Sequence, residues 1–287
     1  MNKPRIIAEI GCNHMGSMGL AQKFIRIAKD YCNVDAVKFQ TRDIEVWAQK
    51  YPDLYNAPHP NPKNSYGDTY RKHREYLEFT IEQNKELKEY CDSVGIIYST
   101  SVWDLPSAQK IAALDPEFIK IPSACNTNTE MLEWLCNNYA GEIQLSTGMT
   151  THDELDSIIN LFENNKRNKD LVLYSCTSGY PVPYEDVCLL EINNLNKKFG
   201  DRVKEIGFSG HHLGTAVDIA AYTLGATTIE RHFTLNKTWK GTDHAASLEP
   251  EEMKKLVTDL FSVYESLRYK KKEILDIEEV QRKKLKW

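Results

Sequence analysis

Residues 205–231 read EIGFSGHHLGTAVDIAAYTLGATTIER, and they contain the pattern that decides the fold. Apolar, strand-like runs at 205–209 and 227–231 flank a segment whose apolar residues recur at helical spacing. The recurring residues are Ala216, Ile219, Ala220 and Leu224. An apolar strand, a helix and a second apolar strand are typical of a βαβ unit, in which both strands are parallel and buried on both faces.

The same alternation occurs eight times along the chain. The strand-like runs are 6–10, 36–40, 96–99, 118–121, 143–146, 171–175, 205–209 and 227–231. Parallel strands that alternate with helices form either a closed barrel or a doubly wound sheet. Eight units in 287 residues favour an α/β fold made of a single (β/α)8 TIM barrel, since such barrels typically need roughly 250 residues. We assign residues 1–269 to the barrel and 270–287 to a C-terminal helical extension.

One polar segment, residues 42–72, does not fit the alternation and is rich in Pro and Tyr. A loop of this length inside a compact domain is usually functional. We therefore expect it to lie over the mouth of the barrel.

Composition and charge exclude several classes of protein. The net charge is −5, and the two short basic runs near the C-terminus are better explained as the solvated face of a terminal helix than as a nucleic-acid surface. The N-terminus lacks the apolar stretch of a signal peptide, and no apolar run is long enough to span a bilayer. The seven cysteines show neither zinc-ribbon nor CxxC spacing. We expect a cytoplasmic enzyme with reduced thiols.

Every predicted strand carries polar residues within or just after its C-terminal part, the end where barrel enzymes carry their chemistry. They include Glu9, Lys38, Gln40, Ser99, Thr100, Lys120, Ser123, Ser146, Ser178, Tyr180, Ser209, His211, Glu230 and His232. A buried ammonium such as that of Lys38 or Lys120 needs a charge partner or an anionic ligand. Either lysine alone is equally well explained by a snorkelling side chain or an internal ion pair. Two lysines beside several hydroxyls favour a phosphate or carboxylate site.

The histidines indicate a metal site. His211 and His232 end neighbouring strands, so their imidazoles can converge on a transition-metal ion. A structural, hydrogen-bonded role is the alternative, and His212 competes with His211 for the ligand position. Cys12 is a further conceivable ligand, although a small buried residue is the simpler reading. Glu9 is a candidate acid/base group or metal partner, or else the ion-pair partner of Lys38.

A series of motifs runs in order through residues 6–250. They are Ala8–Gly16, Ala36–Thr41, Lys120–Ser123, Leu145–Met149, Cys176–Val187, Gly207–His211, Ile229–Thr234 and Gly241–Pro250. Through these motifs the chain resembles the N-acetylneuraminate (sialic acid) synthase family, whose members condense phosphoenolpyruvate with an aminosugar. The resemblance implies a transferase of carbohydrate biosynthesis that converts N-acetylmannosamine, or a related aldehyde, to a 2-keto-3-deoxy sugar acid with release of phosphate.

The resemblance also implies roles for individual residues. Catalytic roles fall to Glu9, Lys38 and Lys120. Phosphoenolpyruvate and sugar contacts fall to Gln40, Thr100, Ser123, Ser146, Ser178, Tyr180, Ser209 and Asp243, of which Tyr180 and Asp243 match positions that meet the sugar. His211 and His232 match two ligands of a divalent metal, usually manganese, and a homodimer is expected.

The chain departs from the family pattern at several positions. Gly210 replaces the usual Asp between Ser and His, Cys125 replaces an acidic residue, and Ser101-Val102 replaces Pro-Phe. We also expect a short form without the C-terminal antifreeze-like domain that helps to hold the sugar in typical bacterial members. Two alternatives remain open: an aldolase that forms a Schiff base on Lys38 or Lys120, and a barrel subunit without catalysis.

Overall fold

The computed structural model describes residues 2–287 and contains a closed barrel of eight parallel strands, β1 to β8, in chain order. The strands are Arg5–Gly11, Ala36–Thr41, Ile97–Val102, Phe118–Ile121, Glu142–Ser146, Leu171–Cys176, Glu205–Gly210 and Thr228–His232. The barrel closes through β1 and β8, where Glu9 pairs with His232. The predicted single (β/α)8 barrel is confirmed.

Twelve α-helices, α1 to α12, accompany the strands in the described residues 2–287. They are Met18–Arg26, Ile44–Lys50, Pro52–Asn56, Tyr70–Leu77, Ile81–Val94, Leu105–Ala112, Thr129–Asn138, His152–Asn164, Glu191–Phe199, Ala216–Thr223, Pro250–Ser266 and Asp276–Leu285. Capping boxes begin α5 at Thr80 and α8 at Thr151. In each, the threonine hydroxyl accepts from a backbone N–H of the first turn, and the amide or carboxylate three residues later accepts from the backbone N–H of the threonine. The apolar faces of the outer helices pack on the strands and form the main core.

Packed side chains close the barrel interior at the N-terminal ends of the strands. Ile7, Ala36 and Phe118 form a separate apolar cluster there. The Arg5 guanidinium lies 4.6 Å from the Phe118 ring centre and donates to Glu142 at 2.8 Å. Because this layer blocks the N-terminal end, a ligand reaches the interior from the C-terminal ends of the strands.

Residues 42–72 are more ordered than the predicted loop, because they contain α2, α3 and the start of α4. They lie on the mouth side of the barrel. The Trp47 indole N–H donates to Asp104 after β3, and the Tyr66 hydroxyl donates to the backbone carbonyl of Lys240 after β8. We name residues 42–72 the mouth segment.

The third strand runs three residues further than predicted, and this changes which hydroxyl faces the interior. In β3 the side chains alternate, so Ser101 points inward and accepts from Lys38 Nζ at 2.7 Å. Thr100 points outward and bonds Thr41 Oγ1 at 2.9 Å. Thr100, which was predicted to contact substrate, therefore faces away from the cavity, and Ser101 occupies the inward position.

The C-terminal region follows α11, which packs its buried face on the barrel. The predicted boundary at 269/270 falls between α11 and α12, and α12 carries no buried residue. Across residues 2–287, every helix is too short or too polar to pass through a bilayer.

Candidate active site

A cavity of about 270 Å³ opens at the C-terminal ends of the strands. It is lined by Glu9, Lys38, Gln40, Ser101, Lys120, Ser123, Ser146, Ser178, Tyr180, Ser209, His211, Glu230 and His232, among others. The predicted site residues therefore converge, apart from Thr100, which faces the helices, and Asp243, which lies at the rim. A larger cavity of about 680 Å³ near Asp35 and Glu117, at the other end of the barrel, contains none of them.

Two buried lysines and two buried carboxylates form the floor of this cavity. Lys38 Nζ lies 2.5 Å from Glu9 Oε2 and 3.8 Å from Glu230 Oε1, and Lys120 Nζ lies 3.0 Å from Glu230 Oε2. All four side chains are at most 7% exposed. The ion pair of Lys38 with Glu9, which the sequence offered as one alternative for Glu9, is present. Side chains alternate along a strand, so Glu230 and His232 lie on the same face of β8. The sequence alone indicates this orientation, although none of the predicted roles falls to Glu230.

The charges of this group depend on one another. Burial by itself would raise the pKa of Glu230, but Lys120 and Lys38 lower it to about 2. Burial lowers the pKa of Lys120, and the attraction of Glu230 opposes this change. Burial raises the pKa of Glu9 against the opposing charge of Lys38. Glu230 therefore stays ionised between the lysines, whereas Glu9 is the carboxyl that is easier to protonate.

Serine hydroxyls surround the lysines on the other side. Ser209 Oγ donates to Glu230 Oε1 at 3.1 Å. A Cβ at Gly148 would lie 2.4 Å from Ser178 Oγ and 2.7 Å from Ser123 Oγ, so only glycine lets the backbone approach these hydroxyls. Hydroxyls and ammonium groups that face one space are suited to bind the oxygens of a phosphate or carboxylate.

The two predicted metal ligands lie together, His211 directly after β7 and His232 at the end of β8, with ring centres 5.4 Å apart. His211 Nδ1 lies 3.0 Å from the Thr177 carbonyl oxygen, to which it donates. Its Nε2 is then the free lone pair, and burial lowers the pKa of His211 to about 3, with His232 adding to the shift. His232 Nδ1 is buried without a hydrogen-bond partner, 3.9 Å from Asp243 Oδ2.

Two imidazoles this close, one with a free Nε2 and one with an unpartnered Nδ1, could hold a divalent ion. In residues 2–287 no group of three or more His, Cys, Asp or Glu side chains is arranged to hold a metal. The protein would thus supply two nitrogen ligands, and water or substrate oxygens would supply the rest.

The alternative ligands His212 and Cys12 lie elsewhere. His212 faces away from the cavity, with Nε2 3.0 Å from Arg231 Nη1 and 3.3 Å from Asp218 Oδ2. A Cβ at Gly210 would lie 2.8 Å from the His212 ring, so the glycine at this position makes room for that ring. Cys12 contacts Arg74 Nη2 at 3.4 Å.

The rim of the cavity brings Tyr180, Gln40 and Asp243 close to the histidines and Glu9. The half-exposed Tyr180 ring lies 4.4 Å from the His211 ring. A Cβ at Gly11 would lie 3.1 Å from Gln40 Nε2, 3.3 Å from Glu9 Oε1 and 3.5 Å from Asp243 Oδ2. Polar groups thus converge on the space in front of the histidines, where a polyhydroxylated ligand can be bound.

Comparisons with known proteins agree with this arrangement. Residues 24–272 match the NeuB family. The chain is 37% identical over 280 residues to the human N-acetylneuraminate-9-phosphate synthase, covering 98% of this chain and 76% of that protein. It is 34% identical over 272 residues to the N,N'-diacetyllegionaminic acid synthase of Campylobacter jejuni, covering 93% and 78%. The crystal structure of the sialic acid synthetase of Leptospira borgpetersenii, in complex with citrate, superposes with a TM-score of 0.82 at 28% identity and covers 99% and 93%.

Proposed function

The chain belongs to the NeuB family of sialic-acid-type synthases, and we propose that it condenses phosphoenolpyruvate with an aminosugar aldehyde such as N-acetylmannosamine. The product is a 2-keto-3-deoxy sugar acid, and phosphate is released. The observation that carries the proposal is the cavity itself. It joins lysine and serine side chains suited to bind an anion with a pair of neighbouring histidines.

Phosphoenolpyruvate binds over Lys38 and Lys120, with its oxygens also facing Ser123, Ser178 and Ser209. The two carboxylates balance the two lysines in the free protein. The incoming anion then competes with Glu9 and Glu230 for the two ammonium groups. Because these groups are already oriented, they need little reorganisation when negative charge develops on the phosphate.

The aldehyde binds at the histidine end, with its hydroxyls facing Tyr180, Gln40 and Asp243. His211 and His232 would hold a divalent ion, which when bound polarises the aldehyde oxygen. C3 of phosphoenolpyruvate forms a bond to the aldehyde carbon, and the aldehyde oxygen takes up a proton. Glu9 is placed to provide that proton, because burial raises its pKa and its Oε1 faces the space before Gly11.

The second half of the reaction takes place at C2 of phosphoenolpyruvate. Loss of the double bond leaves a cationic C2, to which water adds with loss of a proton. The C–O bond to phosphate then breaks, the keto group forms, and phosphate leaves toward the lysines. Glu230, held ionised by Lys38 and Lys120, keeps negative charge beside the cationic centre.

The Schiff-base alternative is less consistent with the geometry. A Schiff base forms on a neutral amine. Both amines are held in ion pairs, Lys38 with Glu9 and Lys120 with Glu230, so a carbonyl would have to displace a carboxylate to reach either nitrogen.

The test is phosphate release from phosphoenolpyruvate after metal stripping and manganese re-addition, with N-acetylmannosamine or its 6-phosphate as acceptor. We expect release that requires both acceptor and metal, together with a product whose mass is the sum of the reactants and water less phosphate. Trapping of a lysine adduct by borohydride, without phosphate release, would instead establish the aldolase. The proposed function would be contradicted if neither acceptor led to phosphate release and phosphoenolpyruvate did not bind.

A further inference from the structure

One buried guanidinium beside the cavity, that of Arg42, has no part in the proposed anion site or in the histidine pair. Its Nη2 donates to Oε1 of the Gln40 side-chain amide at 2.8 Å. The amide nitrogen of Gln40 donates in turn to Glu9 Oε1 at 3.2 Å. Gln40, which lines the cavity, therefore connects Arg42 to the carboxyl group that is proposed to give its proton to the aldehyde oxygen.

The contact with Arg42 fixes which end of the Gln40 amide faces Glu9. A side-chain amide has an oxygen that accepts and a nitrogen that donates, and a half-turn of the amide exchanges them. Arg42 can only donate, because a guanidinium has no acceptor atom. The Cys12 thiol, a weak donor 4.0 Å from the same amide oxygen, supports the same orientation. The oxygen of the amide thus faces Arg42, and the nitrogen is left to face Glu9.

Arg42 is itself held in place from two directions. Its Nε lies 3.0 Å from Glu78 Oε1, and its backbone N–H donates to Glu78 Oε2 at 3.3 Å. Its guanidinium carbon lies 3.8 Å from the ring centre of Trp103, another residue of the cavity wall. The side chains of Arg42 and Glu78 are at most 7% exposed. A guanidinium that is buried and paired in this way presents its Nη2 to Gln40 in one fixed direction.

The direction of the Gln40 amide affects how Glu9 can deliver its proton. If the amide oxygen faced Glu9, the O–H of the neutral acid would donate to it, and the proton would be held away from the aldehyde. With the nitrogen facing Glu9, the acid proton finds no acceptor in Gln40. The carboxylate that forms after the transfer instead gains an N–H donor, and hydrogen bonds to a charged group are the stronger kind.

We propose that Arg42 is a positioning residue of the condensation, which acts on Glu9 only through the amide of Gln40. The inference rests on the proposed function, in which Glu9 is the proton donor. Arg42 contacts neither reactant, so its loss should slow the chemical step and leave the binding of phosphoenolpyruvate unchanged.

Arg74 provides a matched control, because it is the second cation on the same carboxylate. It pairs with Glu78 as Arg42 does and is equally buried, but its other hydrogen bond goes to Cys12 Sγ and not to Gln40. Arg42→Met and Arg74→Met each leave Glu78 with one cation, so we expect both variants to fold and to lose similar amounts of Tm. Only Arg42→Met frees the Gln40 amide.

The first experiment measures the single-turnover rate of phosphate release, which reports the chemical steps, and KM for phosphoenolpyruvate. Arg42→Met should lower the rate about tenfold, the effect of one lost hydrogen bond to a charged group. Its KM should change by less than about twofold, because Lys38 and Lys120 are untouched. Arg74→Met should keep both values within about twofold of the wild type. In a Gln40→Leu background, Arg42→Met should lower the rate no further, since the connection to Glu9 is already absent.

A second experiment needs no turnover. Spectra of protein that carries ¹⁵N-labelled glutamine show the side-chain NH2 of Gln40, whose signals are assigned by their loss in Gln40→Leu. These signals should shift in Arg42→Met and stay in place in Arg74→Met. The same pattern in a protein that releases no phosphate would support Arg42 as the group that orients Gln40, and would count against the proposed function alone. Equal rates in Arg42→Met and Arg74→Met, a tenfold loss that persists in the Gln40→Leu background, or unmoved Gln40 signals would overturn the inference.

Discussion

Replacing Glu230 by Gln removes the carboxylate that Lys38 and Lys120 share, and it tests how the floor of the cavity is built. The free protein then holds two buried ammonium groups with Glu9 as their remaining close carboxylate. Removing one partner of a buried ion pair costs about 3–5 kcal/mol. The amide still accepts a hydrogen bond, so we expect the lower end, about 3 kcal/mol. At about 2–4 °C per kcal/mol this lowers Tm by some 6–12 °C.

Phosphoenolpyruvate should reverse much of this loss, because its charges pair with the lysines that Glu230 no longer neutralises. A tenfold gain in affinity adds about 1.4 kcal/mol of ligand-dependent stabilisation. The assay is thermal unfolding with and without phosphoenolpyruvate. The Tm increase on adding ligand should be larger in Glu230→Gln than in the wild type, whereas phosphate release should fall, because the cationic C2 lacks its neighbouring carboxylate.

Glu142→Gln is a matched control at the opposite end of the barrel. Glu142 also pairs with two cations, Arg5 at 2.8 Å and Lys204 at 2.5 Å, far from the cavity. Its replacement should lower Tm without any extra stabilisation by phosphoenolpyruvate. The reasoning is refuted if Glu230→Gln unfolds at the wild-type temperature, or if the ligand raises the Tm of both variants equally.

Three further predictions concern the same cavity. Ser101→Ala should raise KM for phosphoenolpyruvate about fivefold by removing a hydrogen-bond acceptor of a catalytic lysine, whereas Thr100→Val should lower Tm and leave KM unchanged. His211→Asn or His232→Asn should abolish manganese binding in calorimetry, and a chelator should stop phosphate release in the wild type; unchanged binding would exclude the pair as ligands. Because burial lowers the pKa of Lys120, affinity for phosphoenolpyruvate should fall as pH rises through that pKa, below the pH at which an ordinary lysine loses its proton. Affinity that stays constant up to pH 10 would contradict this sign.

The differences between the predicted and the observed orientations of site residues arise at the strand ends. The predicted third strand stopped at residue 99, but the strand continues to Val102. Side chains alternate along a strand, so neighbouring hydroxyls face opposite sides, and Thr100 rather than Ser101 was assigned to the substrate. The choice between His211 and His212 was open for the same reason. Arg231 and Asp218, which hold His212 outside the cavity, come from β8 and α10.

The sequence by itself determined the barrel and most of the candidate site. Apolar periodicity is a local property, so it identified eight strands and the polar residues in or just after their C-terminal parts, including Lys38, Lys120 and the histidine pair. Only the tertiary structure decided which charges meet. Glu230 lies 110 residues from Lys120 in the chain, yet their side chains pair at 3.0 Å. Such contacts depend on barrel closure and helix packing, which cannot be deduced from the spacing of residues along the chain.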